Sequence, residues 1–238
     1  MNILILGNGL LGQELSNQTG WKTLSRNKDG FDITDPTTYS KMLSTYDGTA
    51  QYCKYDTIIN CIANTDTYSN DRQHHWKVNY KGVADLVDFC NEWKIKLIHI
   101  STDYVYANSS GIPTEEDVPV HQETYYAYTK LLADGYVELR SNNYLIVRTT
   151  HKPDPFPYDK AWLNQIGNFD YVTVTASLIS KLVKSGSKGI INVGTQMKSV
   201  FELAKRTRAD VLPGLVPSSL VPNNTLMNLD KLIKLNLK

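Results

Sequence analysis

The sequence predicts an α/β protein built on a doubly wound parallel sheet, followed by a small, trimmed C-terminal lobe. Three observations predict it. The apolar run Ile3-Leu4-Ile5-Leu6 leads directly into Gly7-Asn8-Gly9-Leu10-Leu11-Gly12 and then into a helical stretch starting at Gln13-Glu14-Leu15. Apolar strands and amphipathic helices then alternate through about residue 150, the pattern of a parallel sheet with interposed helices. The length, 238 residues, suits one domain plus a lobe. We therefore expect a platform over 1–150 and a smaller lobe over 151–238, with the chain returning to the sheet around 168–195.

A strand that is apolar at every position suits burial on both faces, so residues 3–6 read as a central strand. Strand, G-x-G-x-x-G and helix in that order is the setting of a dinucleotide fingerprint. Gly7 permits the tight turn, Gly9 lets a pyrophosphate approach the backbone, and Gly12 lets helix and strand pack closely. The second strand, Trp21–Leu24, is followed by Arg26 instead of an acidic residue, which favours a 2′-phosphate and hence NADP(H), with NAD(H) the alternative. Asp35 and Pro36 read as N-cap and first residue of a helix running to about Leu43.

Tyr55–Asn60 is a third strand, and the polar turn after it, Cys61 to Thr65, falls where α/β sheets place ligands. Tyr80–Trp93 reads as an amphipathic helix, Lys96–Ile100 as a fourth strand and 107–124 as a loop. Tyr125–Arg140 is a helix and Tyr144–Arg148 a fifth strand. Beyond Thr150 the pattern loosens into an aromatic, Pro-rich loop at 152–158. Helices at Leu178–Val183, Val200–Thr207 and Leu226–Leu237 follow, with a strand at Gly189–Val193.

Lys and Arg number 25 against 24 Asp and Glu, so there is no global basic field for nucleic acid. Cys53, Cys61 and Cys90 are odd in number and lack C-x-x-C spacing, which suggests reduced thiols. No signal-like leader and no bilayer-length apolar run is present, so we expect a cytoplasmic protein without membrane contact. The five histidines (74, 75, 99, 121, 151) lack metal-ligand spacing, His99 reads as a satisfied core residue, and Glu115-Glu116-Asp117 reads as a solvated loop; no metal is expected.

The chemistry gathers at Ser101-Thr102-Asp103-Tyr104 and at Tyr126-Ala127-Tyr128-Thr129-Lys130. Tyr126 and Lys130 lie four apart and share a helix face, with Cβ atoms about 5–6 Å apart. An ammonium beside a phenol stabilises the phenolate and makes the phenol a better acid. Thr102 ends the fourth strand and offers a hydroxyl to a carbonyl oxygen.

In order and spacing, residues 98–106, Thr114-Glu115-Glu116-Asp117 and the Tyr126/Lys130 helix resemble the extended short-chain dehydrogenase/reductases, most closely the dTDP-4-dehydrorhamnose reductase branch. The resemblance covers residues 1–150 and continues more weakly to about 201. It implies a Rossmann-type domain with Thr102, Tyr126 and Lys130 as the catalytic trio, Lys130 also holding the nicotinamide ribose. It implies that Gly7, Asn8, Gly9, Leu10, Leu11 and Gly12 hold the pyrophosphate. Arg26, Asp32, Ile33, Cys61 and Ala63 would serve the adenosine side, and Thr65, Asp103, Tyr104, Val105 and His151 the sugar. Tyr104 after Asp103, where dehydratases carry Glu, favours reduction of a nucleotide-linked 4-keto-6-deoxy sugar over dehydration. Two departures stand out: a glycine loop one residue short of the family's G-x-x-G-x-x-G, and His151 in place of a sugar-stacking tryptophan. Trp162 and the aromatic loop are the candidates to replace that surface. A non-catalytic, cofactor-binding regulatory subunit and action on a different nucleotide sugar are the alternatives; a homodimer through the helices near 80–93 and 125–140 is what the family suggests.

Overall fold

A computed structural model describes residues 1–46, 50–117, 119 and 124–237. His121 and the neighbouring positions of its loop lie outside the described residues. The central sheet contains β1 (Ile3–Leu6), β2 (Lys22–Leu24), β3 (Thr57–Asn60), β4 (Lys96–Ile100), β5 (Tyr144–Arg148) and β6 (Gly189–Asn192). Their spatial order is β6-β5-β4-β3-β1-β2, and every neighbouring pair is parallel.

The register explains the apolar runs. Ile5, Ile59, Ile98 and Leu145 lie side by side across four strands, all fully buried. They face α1 (Leu10–Thr19) and α4 (Val172–Lys184), which contribute Leu15, Ile179 and Leu182 to the same core. The alternate residues Leu4, Ile58, Leu97 and Ile146 face the opposite side. There they meet α2, a continuous helix over residues 72–92, and α3 (Tyr125–Arg140), through Leu86, Ala133 and Val137. A strand whose two faces are both buried against helices has no place for polar alternation.

Several elements differ from the sequence reading. The stretch after Asp35 is a 3₁₀ helix, Pro36–Met42, capped as expected by the Asp35 carboxylate on the Thr37 N–H at 3.0 Å. A small antiparallel hairpin, Leu43–Tyr46 with Ala50–Cys53, follows it unanticipated; Asp47-Gly48 is the dipeptide that signals it. Helix α2 starts at Arg72 rather than Tyr80, capped by Asp71 on the His74 N–H. A π-helical turn, Trp76–Lys81, interrupts it, and this extra residue in the turn breaks the 3.6 period that marks a helix in sequence. Helix α4 begins earlier than expected because its first turn, Val172-Thr173-Val174-Thr175, is β-branched and disguises it. Helix α5 spans only Val200–Ala204, with a Ser199/Glu202 capping box, and α6 only Asp230–Lys234. Residues Asn224–Thr225 pair in parallel with Ile166–Gly167, ahead of the shortened α6.

The acidic loop is also corrected. Glu116 is solvated, but Glu115 is buried and its carboxylate accepts the backbone N–H of Asn192 at the end of β6 (2.8 Å). Asp117 is tied back to Thr114 through the backbone N–H and the hydroxyl, at 2.7 and 2.8 Å. Among the described residues no cluster of side chains suits a metal ion, and no helix is long and apolar enough to cross a membrane.

The lobe is built from short strand pairs around Phe156, Phe169, Tyr171, Leu203 and Val211. It joins the platform through His151–Lys152, which pair in parallel with Asp170–Tyr171.

One buried ion pair locks α3 to the sheet. Asp134 and Arg148 are each at most 2% exposed, and the guanidinium Nε lies 3.1 Å from the carboxylate. Arg148 also donates to the Tyr106 hydroxyl and lies over that ring, 4.9 Å from its centroid. Arg148→Met strands the Asp134 charge and is expected to lower stability by about 3–5 kcal/mol. Adding Asp134→Leu should recover most of the loss, as urea unfolding of the single and double variants will show.

Candidate active site

The strand order reverses direction between β1 and β3, and a crevice opens outside the carboxyl ends of the strands at that point. It forms a cleft of about 720 Å³. Every sequence-predicted site residue lines it except Asp103 and Val105.

At one end is the glycine turn. Gly7 has φ +100°, a conformation that disfavours side chains, and its N–H donates to the Leu24 carbonyl at 2.8 Å. A Cβ at Gly12 would lie 2.2 Å from the Gly7 carbonyl oxygen, so helix and turn approach as closely as backbone allows. Gly9 is different, because a Cβ there meets no protein atom within 4 Å. It is the N-cap of α1, which has no side-chain cap and no acidic residue in its first turn, so its N–H groups and dipole face the cleft undischarged. Such a cradle fits a phosphate. The one-residue shortening of the loop leaves this geometry in place.

On the adjoining wall the Ser25 N–H and hydroxyl are held by the Asp29 carboxylate. Arg26 points into solvent and pairs through Nε with Asp32 at 3.2 Å. Burial pushes the Asp32 carboxyl upward, but hydrogen bonds from Thr34 and the Arg26 charge outweigh it and hold the group below its ordinary range. Ile33 is buried beside it, its carbonyl accepting the Tyr39 hydroxyl. Cys61 and Ala63 continue the wall after β3; burial pushes the Cys61 thiol up to about 12, so it stays protonated and inert at neutral pH.

The reacting end combines β4 and α3. Thr102 caps the 3₁₀ turn Asp103–Tyr106: its hydroxyl oxygen accepts the Tyr104 N–H at 3.2 Å. The Tyr126 hydroxyl meets the Thr102 side chain, and the Tyr126 ring packs edge-on against Tyr104, with centroids 6.1 Å apart. Burial pushes the Tyr126 phenol up to about 12, against the pull of the Thr102 hydrogen bond. Lys130 is 1% exposed and donates to the Ile100 carbonyl at 2.7 Å. Its pKa is drawn down to about 8, by burial above all, while Asp134 pulls the other way.

His99, expected to be a satisfied core residue, is fully buried and has a more specific place. Its Nε2 lies 3.2 Å from Lys130 Nζ and its Nδ1 3.4 Å from the Asn60 amide nitrogen. Asn60 Oδ1 accepts the Ile62 N–H at 3.1 Å, so the amide presents its NH₂ to His99. A neutral imidazole has a single acceptor nitrogen, so His99 accepts either from the Asn60 amide at Nδ1 or from the Lys130 ammonium at Nε2. Burial, with the neighbouring Lys130 charge, keeps His99 neutral.

Asp103 and Val105, expected to contact substrate, stand behind the wall. Asp103 is 1% exposed and its carboxyl is held by the hydroxyls of Thr102 (3.3 Å) and Thr225. Val105 packs with Tyr106 and Met227. In a 3₁₀ turn only some side chains of a run face one side, so Tyr104 reaches the cleft and its neighbours do not. Trp162 belongs to the lobe core and Phe156 is buried there, so neither replaces the missing tryptophan. The aromatic surface at this end is Tyr104, whose hydroxyl bonds that of Tyr68 at 2.9 Å. Sequence reasoning passed over Thr149 and Lys152 and gave Ser101 no role, and all three line the cleft. Their place directly after β4 and β5 was the available signal.

Two glycine variants separate the roles of the turn. Gly12→Ala must displace the Gly7 carbonyl, so both melting temperature and dinucleotide affinity should fall. Gly9→Ala should leave the melting temperature within about 2 °C while weakening NADPH binding at least tenfold, measured by nicotinamide fluorescence titration.

Known proteins resemble the chain over much of this platform. The dTDP-4-dehydrorhamnose reductase of Streptomyces griseus is 28% identical over 170 residues, covering 69% of this chain and 50% of the relative. A probable low-salt glycan biosynthesis reductase of Haloferax volcanii is 32% identical over 120 residues, 49% of this chain and 37% of its own length. The chain spans about half the length of the curated relatives it matches. Among solved structures, the dTDP-4-dehydrorhamnose reductase of Bacillus anthracis in complex with NADP aligns with a TM-score of 0.81 at 23% identity, over 98% of this chain and 91% of that one. A dTDP-4-dehydrorhamnose reductase from Clostridium acetobutylicum gives 0.79 at 23% identity, over 99% and 92%. These structures share the fold. The model of the RmlD substrate binding domain matches residues 1–151, and the chain belongs to that family.

Proposed function

We propose that the chain is an NADP(H)-dependent reductase of a nucleotide-linked 4-keto-6-deoxy sugar, the activity named for its dTDP-4-dehydrorhamnose reductase relatives, with NAD(H) the alternative cofactor. One observation carries the reading: Thr102, Tyr126 and Lys130 converge at one end of a cleft whose other end is a glycine cradle at a helix N-terminus. Gly7 to Gly12 suit the pyrophosphate, Asp32 and Ile33 the flank of the adenine, and the exposed Arg26 a 2′-phosphate. Bound there, the reduced nicotinamide supplies the hydride for the sugar C4.

The chain's own part is to hold the carbonyl and deliver a proton. Thr102 and Tyr126 share a hydrogen bond, so a carbonyl oxygen placed between them can be gripped by two hydroxyls. Tyr126, with its pKa about 12, keeps its proton through the physiological range and gives it to the developing alkoxide. The phenolate left behind lies one helical turn from Lys130 on the same face of α3, a charge that would favour it. Among the described residues no carboxylate lines this end, Asp32 being at the other, which supports reduction over a dehydration that needs a carboxylic acid/base. The reading includes a homodimer through α2 and α3, which leave Trp76 and Leu139 exposed.

Two measurements test it. Tyr126→Phe should lower turnover of dTDP-4-dehydrorhamnose by about 10²–10⁴ while NADPH binding persists; near-normal turnover refutes the acid assignment. Lys130 has a pKa about 8, below its ordinary value of 10.5, so the stabilising ammonium is present below pH 8 and lost above it. Reductive turnover should therefore decline as pH rises through about 8, and a steady-state pH profile will show whether that limb exists.

A further inference from the structure

Three cationic side chains among the described residues line the cleft, Arg26, Lys130 and Lys152, and they differ in what they bond. Arg26 pairs with Asp32. Lys130 donates to the Ile100 carbonyl and meets His99. The Lys152 ammonium has no hydrogen bond and no ion pair within the described residues. Its neighbours are the Phe169 ring, 5.6 Å from Nζ, and the field of Asp103.

A second lysine near the same ring shows what a structural lysine looks like here. Lys198 Nζ donates to the carbonyls of Phe169 (3.0 Å) and Gln196 (2.6 Å) and to the Thr195 hydroxyl (2.6 Å), and stands 3.5 Å from the Asp170 carboxylate. All its donors are used. An ammonium carries three donors and no acceptor, and withdrawing it from water without partners is costly. Lys152 is partly withdrawn, its donors are unused, and its Nζ is not sealed in the interior.

Asp103 does not discharge it. The carboxylate lies beyond 4 Å and is spent on the Thr102 and Thr225 hydroxyls. Burial raises the Asp103 carboxyl to about 6, so it remains largely an anion at neutral pH. Burial lowers the pKa of the Lys152 ammonium, and the Asp103 charge opposes that shift without filling the lysine's donors. Asp103 directly follows Thr102, which places Lys152 beside the reacting end.

We propose that Lys152 determines specificity by binding an oxyanion carried by the nucleotide-sugar substrate. This rests on the nucleotide-sugar reading above and adds the chemistry of the group recognised. The oxyanion is either the diphosphate of the nucleotide or, where the sugar is a uronate in place of a 6-deoxy sugar, its ring carboxylate. Apolar stacking on a tryptophan, absent here, is thereby replaced by charge recognition.

The test titrates the full chain, as wild type, Lys152→Met and Lys152→Arg, with thymidine diphosphate, UDP-glucose and UDP-glucuronate by calorimetry. Lys152→Met should weaken binding roughly tenfold to a hundredfold, and Lys152→Arg should restore most of it. A loss shared by all three probes assigns the diphosphate, and one confined to UDP-glucuronate assigns the ring carboxylate. Affinities equal within twofold for wild type and Lys152→Met overturn the proposal, as does a wild type that binds none of the probes. Lys152→Gln takes the place of the methionine variant if that variant does not fold. NADPH oxidation with dTDP-4-dehydrorhamnose, run in parallel, separates the two readings. Oxyanion binding that depends on Lys152 in a protein without turnover keeps this inference and removes the reductase.

Discussion

The site depends on the ion pair between Asp134 and Arg148. Helix α3 lies on an apolar sheet, and an apolar contact alone permits a helix to slide or roll by small amounts at little cost. The same helix carries Tyr126, Lys130 and Asp134 at four-residue intervals, so one stripe holds the proton donor, the cation and the anchor. Arg148 ends β5, and its partner carboxylate cannot leave it without stranding a buried charge. The rotation of α3, and hence the aim of the Tyr126 hydroxyl at Thr102, is fixed by that penalty.

A second constraint acts on Lys130 from the other side. The Ile62 N–H orients the Asn60 amide, which meets one ring nitrogen of His99 while Lys130 meets the other. Burial disfavours the charged amine, while Asp134 and Cys61 favour it. The balance leaves a lysine whose charge is responsive near neutrality instead of being permanently fixed. The polar interior around α3 is therefore part of the chemistry as well as of the fold.

The platform was legible in the sequence because its rules are local. Ile3-Leu4-Ile5-Leu6 before a glycine turn, and Lys96–Ile100 before Ser101-Thr102, each declare strand, direction and ligand edge within ten residues. The misses have equally physical causes. The π turn in α2 and the β-branched start of α4 hide helices from any periodic pattern. Asp103 and Val105 look equivalent to Tyr104 in a motif, and only the 3₁₀ turn decides which of them faces the cleft. Glu115 reads as solvated because its partner is 77 residues away, and Lys152 reads as an ordinary loop lysine until its bonds are compared with those of Lys198. Long-range polar contacts leave no local trace.

The contact between Glu115 and the Asn192 backbone bears on the order in which the molecule is made. The segment up to about residue 151 leaves the ribosome first, with its sheet still lacking β6 and with the Glu115 carboxylate lacking the Asn192 N–H. Until residue 192 emerges, the loop after β4 is tied through Thr114 to Tyr106 but not through Glu115 to β6. The acid must therefore wait, hydrated, for a strand encoded long after the helix that carries Tyr126 and Lys130. The late strand acts as a latch, so a truncated chain ending near residue 151 would hold Thr102, Tyr126 and Lys130 and lack the strand that covers Glu115.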